Sequence, residues 1–220
     1  MKVWIVIPAY NEERMIGKVL KELKAEGWHN IIVVDDGSKD RTGLIAKRMG
    51  AIVVRHPRNM GLGAALRTGL SKAHKLGAEC VITFDADGQH DPKAIRKLAE
   101  AIHNTDLVIG VRKLVNPPLH KRIGNFILNL VTRMLGGPLT DSQSGLRAFN
   151  RKALEKIKIR SDKYEVSSEI LIQAKRKKLR IDYVQTRCFF TPYSKARGTT
   201  ILSGIRIFLH LIRYLLEGSI

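Results

Sequence analysis

Residues 3–8, 31–34, 52–54, 81–84 and 107–109 are short apolar runs rich in valine and isoleucine, and residues 12–26, 40–49, 61–76 and 92–102 between them carry apolar positions at helical spacing. A strand with one wet face alternates apolar and polar residues, whereas unbroken apolar runs suit strands covered on both faces. Strand and helix in strict alternation predict an α/β fold with a mostly parallel sheet and helices on both faces. In such sheets ligands bind beyond the carboxyl ends of the strands. The polar residues should therefore gather just after each run, and they do: PAYNEE over 8–13, DDGS over 35–38, HPRN over 56–59, DADGQ over 85–89 and GVR over 110–112. One rim carries most of the chemistry.

Beyond Arg112 the pattern changes. A proline-containing loop at 116–118 precedes a predicted helix over 122–135, the turn-rich stretch GGPLTDSQSG over 136–145, a predicted helix over 166–177 and a predicted strand over 181–190. A loop over 191–198 leads to an apolar terminal helix. There is no internal repeat, so the simplest division is one domain over 1–198, with a donor half to about 111 and a second half from 112, followed by a helical extension over 199–220.

Charge narrows the partners. Lys and Arg outnumber Asp and Glu by 39 to 20, a formal net charge of +19 that attracts phosphates, whether on nucleotides, nucleic acid or an anionic membrane. Nucleic acid is set aside because the cations are not interleaved with aromatics in a recognisable binding element and the rim is acidic. Cys80 and Cys188 stand far apart in strand-like company, as suits reduced, buried thiols of a cytoplasmic protein. The N-terminal apolar run is too short for a signal peptide, and no window offers the roughly 20 apolar residues that span a bilayer.

The rim raises a question of its own. Asp85 and Asp87 end an apolar run in a strongly basic chain, with Gln89 two residues on. If the backbone stays extended, all three project to one side. Three oxygen ligands on one side make half a coordination shell for a hard divalent cation, leaving positions for water and substrate phosphates. An Asp-Gly hairpin turn is the alternative, weakened by the helical pattern after Pro92. Asp35-Asp36 offers a second carboxylate pair that suits a base or ribose, while Ser38 or Asp40 caps the helix that follows. Gly61-Leu-Gly63 opens a helix like a phosphate-binding glycine turn, without the third glycine of the dinucleotide fingerprint.

Taken in order and spacing, PAYNEE, VVDDGSKD, NMGLGAALRTG, FDADGQ and TDSQSG make the chain resemble the family 2 glycosyltransferases over about residues 3–195, above all the dolichyl-phosphate mannose or glucose synthases and related polyprenyl-phosphate sugar transferases. The resemblance implies a Rossmann-like fold of the GT-A type, a GDP- or UDP-linked sugar as donor and inverting transfer. It implies that Pro8, Ala9, Tyr10, Glu12 and Asp36 or Asp35, with Gly61 and Asp85, meet the nucleotide, and that Asp85, Asp87 and Gln89 hold Mg or Mn on its diphosphate. Arg112 and Arg122, with Asn125 nearby, match the residues that bind the acceptor phosphate. Lys195 stands in TPYSK, where the family often has Gly-x-Ser-Lys, as a further cation near the phosphates.

Asp141 matches the family Asp before the Ser-Gly pair. A polyprenyl phosphate acceptor arrives ionised and needs no base. A hydroxyl acceptor needs one, and Asp141 is then the residue in place. A sugar-nucleotide nucleotidyltransferase would share the fold, but its glycine-rich loop should follow the first strand, where PAYNEE stands. In the terminal segment Arg206, His210, Arg213 and Glu217 form one narrow polar stripe, leaving a wide apolar face. We read it as lying in the membrane interface, which puts the chain peripherally on the cytoplasmic membrane face, with packing on the domain or on a second subunit as the alternative.

Overall fold

A computed structural model of the chain describes residues 1–114, 130, 133, 141, 143–189 and 193. In chain order the elements are β1 (Val3–Ala9), α1 (Ile16–Ala25), β2 (Ile31–Asp35), α2 (Thr42–Arg48), β3 (Ile52–Arg55), α3 (Leu62–Lys75), β4 (Cys80–Thr83), α4 (Ala94–Ala101) followed by a single 3-10 turn, β5 (Leu107–Leu114), β6 (Arg147–Asn150), α5 (Arg151–Lys156), α6 (Val166–Arg176) and β7 (Ile181–Cys188). The strands form one sheet in the order β3-β2-β1-β4-β6-β5-β7. Every pairing is parallel except those of β6, which runs antiparallel between β4 and β5.

The apolar runs work as the alternation requires. In β1, Ile5 and Ile7 pack on one face with Ile16, Val19, Leu20 and Leu23 of α1 and Ile95 and Leu98 of α4. Trp4 and Val6, one residue out of phase, pack on the other with Ala65 and Ala73 of α3. Beyond β4, Leu107, Ile109 and Phe149 meet Ala153 of α5 and Ile170 and Leu171 of α6 on that same second face. Each fully buried aliphatic side chain contributes about 1.5–3 kcal/mol. Both cysteines are buried and unpaired.

β6 and α5 have no counterpart in the reading from sequence. Four residues, Arg-Ala-Phe-Asn, are too short to show a period, and their slot is set by long-range pairing with Thr83 and Ile109. The reversed direction matters to the rim. Because β6 is antiparallel, its first residue, Arg147, and not its last lies beside the carboxyl end of β4. Leu130 and Arg133 are helical. The rest of the helix expected over 122–135 and the terminal helix after 198 lie outside the described residues, and with them Arg122, Asn125 and Lys195.

Candidate active site

The loops after β1, β2 and β3 are stitched together by side chains that the alternation leaves at the rim. Asn11 accepts from the Lys39 amide at 2.8 Å while its own amide donates to Ser38 Oγ at 3.0 Å. The Glu12 amide donates to Thr42 Oγ1 at 2.7 Å, and its carboxylate accepts from Tyr193 Oη at 2.7 Å, a tie across 181 positions of chain. Asp40 accepts from the amide of Thr42, the first residue of α2, at 2.9 Å. Between these loops opens a cavity of about 670 Å³ lined by Tyr10, Gly37, Ser38, Lys39, Arg55, Pro57, Arg58 and Asn59.

The Asp35-Asp36 pair and the glycine turn are joined to one another and to the loop after β3. Asp36 accepts from His56 Nδ1 at 2.7 Å and the Met60 amide at 2.9 Å through one oxygen, and from the Gly61 amide at 2.8 Å through the other. His56 in turn meets Thr68 Oγ1 at 2.9 Å. Asp35 accepts from the Ser38 amide at 2.9 Å and its second oxygen lies 3.5 Å from the Arg55 guanidinium. Both carboxylates are buried and spent on shaping the loops, and neither lines the cavity. Gly61, with φ of 100°, gives its amide to Asp36. The first donors of α3, Gly63 and Ala64, go to the Asp162 carbonyl at 2.7 and 3.2 Å. A Cβ on Gly63 would stand 2.0 Å from the Ser161 carbonyl oxygen, so that glycine serves close backbone packing.

Asp85 and Asp87 do come together, for a reason other than an extended backbone. The chain turns over residues 86–88, with Gly88 at φ 72°. Asp87 accepts from the Gln89 amide at 3.0 Å and from Gln89 Nε2 at 2.8 Å. Turning that amide over would set its oxygen against a carboxylate, and its own oxygen already takes the Cys188 thiol at 3.5 Å. Burial pushes that thiol up to about 11, so it keeps the proton it donates. Gln89 therefore braces Asp87 in this structure, beside the two carboxylates with which its spacing grouped it.

The two carboxyls are driven apart electrostatically. Burial raises Asp85, but the bond from His90 Nε2 at 2.8 Å and the charges of Arg112 and Arg147 outweigh it and bring it below its ordinary range. Burial, and then the charge of Asp85, push Asp87 up to about 6. Neighbouring carboxylates that resist ionising together are what a divalent cation relieves. Gly145 leaves room for the Asp85 carboxylate itself, because a Cβ there would lie 2.4 and 2.6 Å from its oxygens. Among the described residues no three His, Cys, Asp or Glu side chains gather into a metal cluster. Asp85 and Asp87 are thus the residues that could hold a divalent cation.

The second half closes the site through the turn-rich segment. Thr83 Oγ1 donates to the Gly145 carbonyl at 2.6 Å, and Ser144 Oγ to the Gly110 carbonyl at 2.6 Å, pinning Ser144 and Gly145 beside β4 and β5. Asp141 is thereby set against Arg112, with Nε and Nη2 bonded to its two oxygens at 2.6 Å each and the Arg112 amide at 3.2 Å. Burial opposes the charge on Asp141, but Arg112 prevails and its pKa falls. Arg147, 2% exposed, lies beneath, its charge acting on both Asp141 and Asp85. Burial lowers its guanidinium to about 10, still cationic at neutral pH. His90, Arg147 and Tyr193 were not anticipated from sequence. His90 directly follows the acidic motif and so carried a signal, whereas nothing local marks the other two.

Residues 4–158 match the profile of glycosyl transferase family 2. The chain is 43% identical to the UDP-N-acetylglucosamine–dolichyl-phosphate N-acetylglucosaminyltransferase of Methanococcus voltae, over 96% of this chain and 94% of that one. It is 30% identical to the dolichol-phosphate mannosyltransferase of Pyrococcus furiosus, over 96% of this chain and 62% of that one. The fold is similar to that of glucosyl-3-phosphoglycerate synthase from Mycobacterium tuberculosis, crystallised with Mn2+, UDP and glucosyl-3-phosphoglycerate, at a TM-score of 0.78 and 22% identity over 98% of this chain and 79% of that one. The rim motifs, the sheet and these likenesses agree: the chain belongs to glycosyltransferase family 2.

Proposed function

We propose that the protein transfers a sugar from a nucleoside diphosphate to a polyprenyl phosphate with inversion, using Mg or Mn. The observation that carries the choice of acceptor is the Arg112–Asp141 pair. Both Asp141 oxygens are bonded to Arg112, and its pKa is lowered, so it is a poor general base. A hydroxyl acceptor needs a base. A phosphate monoester is already largely ionised at neutral pH and needs only to be held. The names of the relatives from Methanococcus voltae and Pyrococcus furiosus support the same acceptor class. A UDP-linked N-acetylhexosamine is the favoured donor, because the relative that uses it matches nearly end to end. A GDP-linked hexose is the alternative.

The nucleoside enters the cavity beside Tyr10, between the loops that Asp35 and Asp36 hold open, with Lys39, Arg55 and Arg58 on its walls. Asp85 and Asp87 are the residues that would hold the cation, which would supply Lewis-acid stabilisation of the leaving diphosphate. Arg112, fixed in direction by Asp141, presents its remaining N–H groups to the acceptor phosphate, together with Arg122 and Lys195 as the sequence resemblance implies. An acceptor oxygen forms the bond to the anomeric carbon from the face opposite the leaving group. The bond to the diphosphate breaks with its electron pair, and no proton needs to move. Among the described residues no helix is long and apolar enough to cross a membrane. Contact with the lipid-borne acceptor is assigned to peripheral association through the terminal segment. The test is a panel of labelled UDP- and GDP-sugars with polyprenyl phosphate, with and without Mn2+. Label should enter lipid from a UDP-N-acetylhexosamine only when the metal is present, and undiminished transfer in excess chelator would remove the metal from the proposal.

A further inference from the structure

His90 is 3% exposed and meets one polar side chain, Asp85, at 2.8 Å through Nε2. Among the described residues its buried Nδ1 has no partner, and because a carboxylate oxygen only accepts, Nε2 donates to Asp85 Oδ2. The ring is fixed from several sides. It stands edge-on to Phe84, with centroids 5.6 Å apart and planes at 62°. Its backbone forms an antiparallel bridge with Cys188, and the neighbouring Gln89 carbonyl accepts from the Phe189 amide at 2.9 Å. A ring so held is a rigid donor, five residues from the carboxylate it serves.

We propose that His90 is a positioning residue for the donor diphosphate and its cation: its Nε2–H occupies Oδ2 of Asp85 and turns Oδ1 alone toward the cation. The surroundings say why a donor is needed there. The Asp85 carboxylate lies flat against Gly145, in the space a Cβ would fill, and two cations, Arg112 and Arg147, are near enough to act on its charge. Without the His90 bond, the carboxylate swings toward those guanidinium groups and its ligand oxygen is lost to an internal ion pair. The Nε2–H bond from the fixed ring holds it against that pull. Partners of this kind commonly change metal affinity by 10–100-fold.

The inference rests on the metal-dependent reading, and the experiment separates the two. Binding of Mn2+ to the full chain with UDP present is measured by electron paramagnetic resonance, which requires no turnover, on the wild type, His90→Phe, His90→Asn and His90→Gln. Phe keeps the packing without a donor, Asn is too short to reach, and Gln places an amide N–H near the position of Nε2. Phe and Asn should weaken Mn2+ binding about tenfold or more, whereas Gln should stay within about threefold of wild type. In an Asp85→Ala chain, His90→Phe should change Mn2+ affinity no further. A wild type that binds no Mn2+ with UDP or GDP overturns the metal reading and this inference together. Wild-type affinity in a folded Phe or Asn variant overturns the role of His90 alone. Should both variants fail to fold, the 15N shifts of His90 in the wild type decide, because an Nδ1–H tautomer contradicts the proposal.

Discussion

Replacing Asp141 by asparagine separates a structural counter-charge from a chemical base. The substitution keeps one oxygen for Arg112 but removes the charge that two 2.6 Å bonds now neutralise. The side chains of Arg112 and Asp141 are only 16% and 14% exposed, so the guanidinium is left largely desolvated without its partner. Breaking a buried pair from one side costs about 3–5 kcal/mol, and the residual exposure together with the second carboxylate, Asp85, puts this case near about 3. For a chain of this length that is a fall in Tm of about 6–12 °C. Urea unfolding at pH 7 reads the stability, and transfer to polyprenyl phosphate from pH 6 to 9 reads the chemistry. Turnover should drop through misplacement of Arg112, by the same factor at every pH, because no proton transfer is lost. An Asp141→Asn variant of undiminished stability whose turnover is abolished would refute the reasoning and restore Asp141 as a base.

Other substitutions probe neighbouring parts of the account. Asp106, 1% exposed, accepts from Asn150, Lys152 and the Arg180 amide. Burial opposes its charge, but those bonds outweigh it and lower its carboxyl to about 2. A pKa depressed on folding stabilises above the unfolded value near 4 and is lost as pH falls toward 2, so Asp106→Asn should cost about 2 kcal/mol at pH 7 and almost nothing at pH 2 by urea unfolding. A cost that does not shrink on acidification contradicts this. Gly145→Ala puts a Cβ within 2.6 Å of both Asp85 oxygens, so Mn2+ and donor affinity should fall about tenfold while the melting temperature changes little. Unchanged Mn2+ affinity would show that Asp85 does not need that space. Asp87→Ala should abolish metal-dependent transfer in a chain that still melts cooperatively.

What could be read from sequence follows from which interactions are local. The strands β1 to β5 and the helices between them show in the residues themselves, because a strand buried on both faces and a helix with one wet face leave different patterns over a few residues. β6 does not, since four residues are slotted between β4 and β5 by pairing partners more than thirty positions away. The acidic motif was legible as a pair of neighbouring carboxylates, but its geometry comes from a turn at Gly88 and its brace from Gln89, which an assumption of extended backbone cannot supply. The partners of Asp36 and Gly63, His56 and the Asp162 carbonyl, could not be read from sequence because they are joined to them only by the fold. The same holds for Arg112 and Asp141, both singled out from the resemblance as separate actors and found bonded across 29 positions.

The central claim is that an ionised phosphate is the nucleophile and that the protein supplies no base. Two acceptors of identical chain, a polyprenyl phosphate and the corresponding polyprenol, offered with UDP-N-acetylglucosamine and Mn2+, test it most directly, with 31P NMR following the product. The account predicts conversion of the lipid phosphomonoester signal to a sugar-linked phosphodiester, UDP released in equal amount, and no labelled lipid from the polyprenol. Glycosylation of the polyprenol at a comparable rate, or a phosphomonoester signal unchanged while sugar is transferred elsewhere, would contradict it.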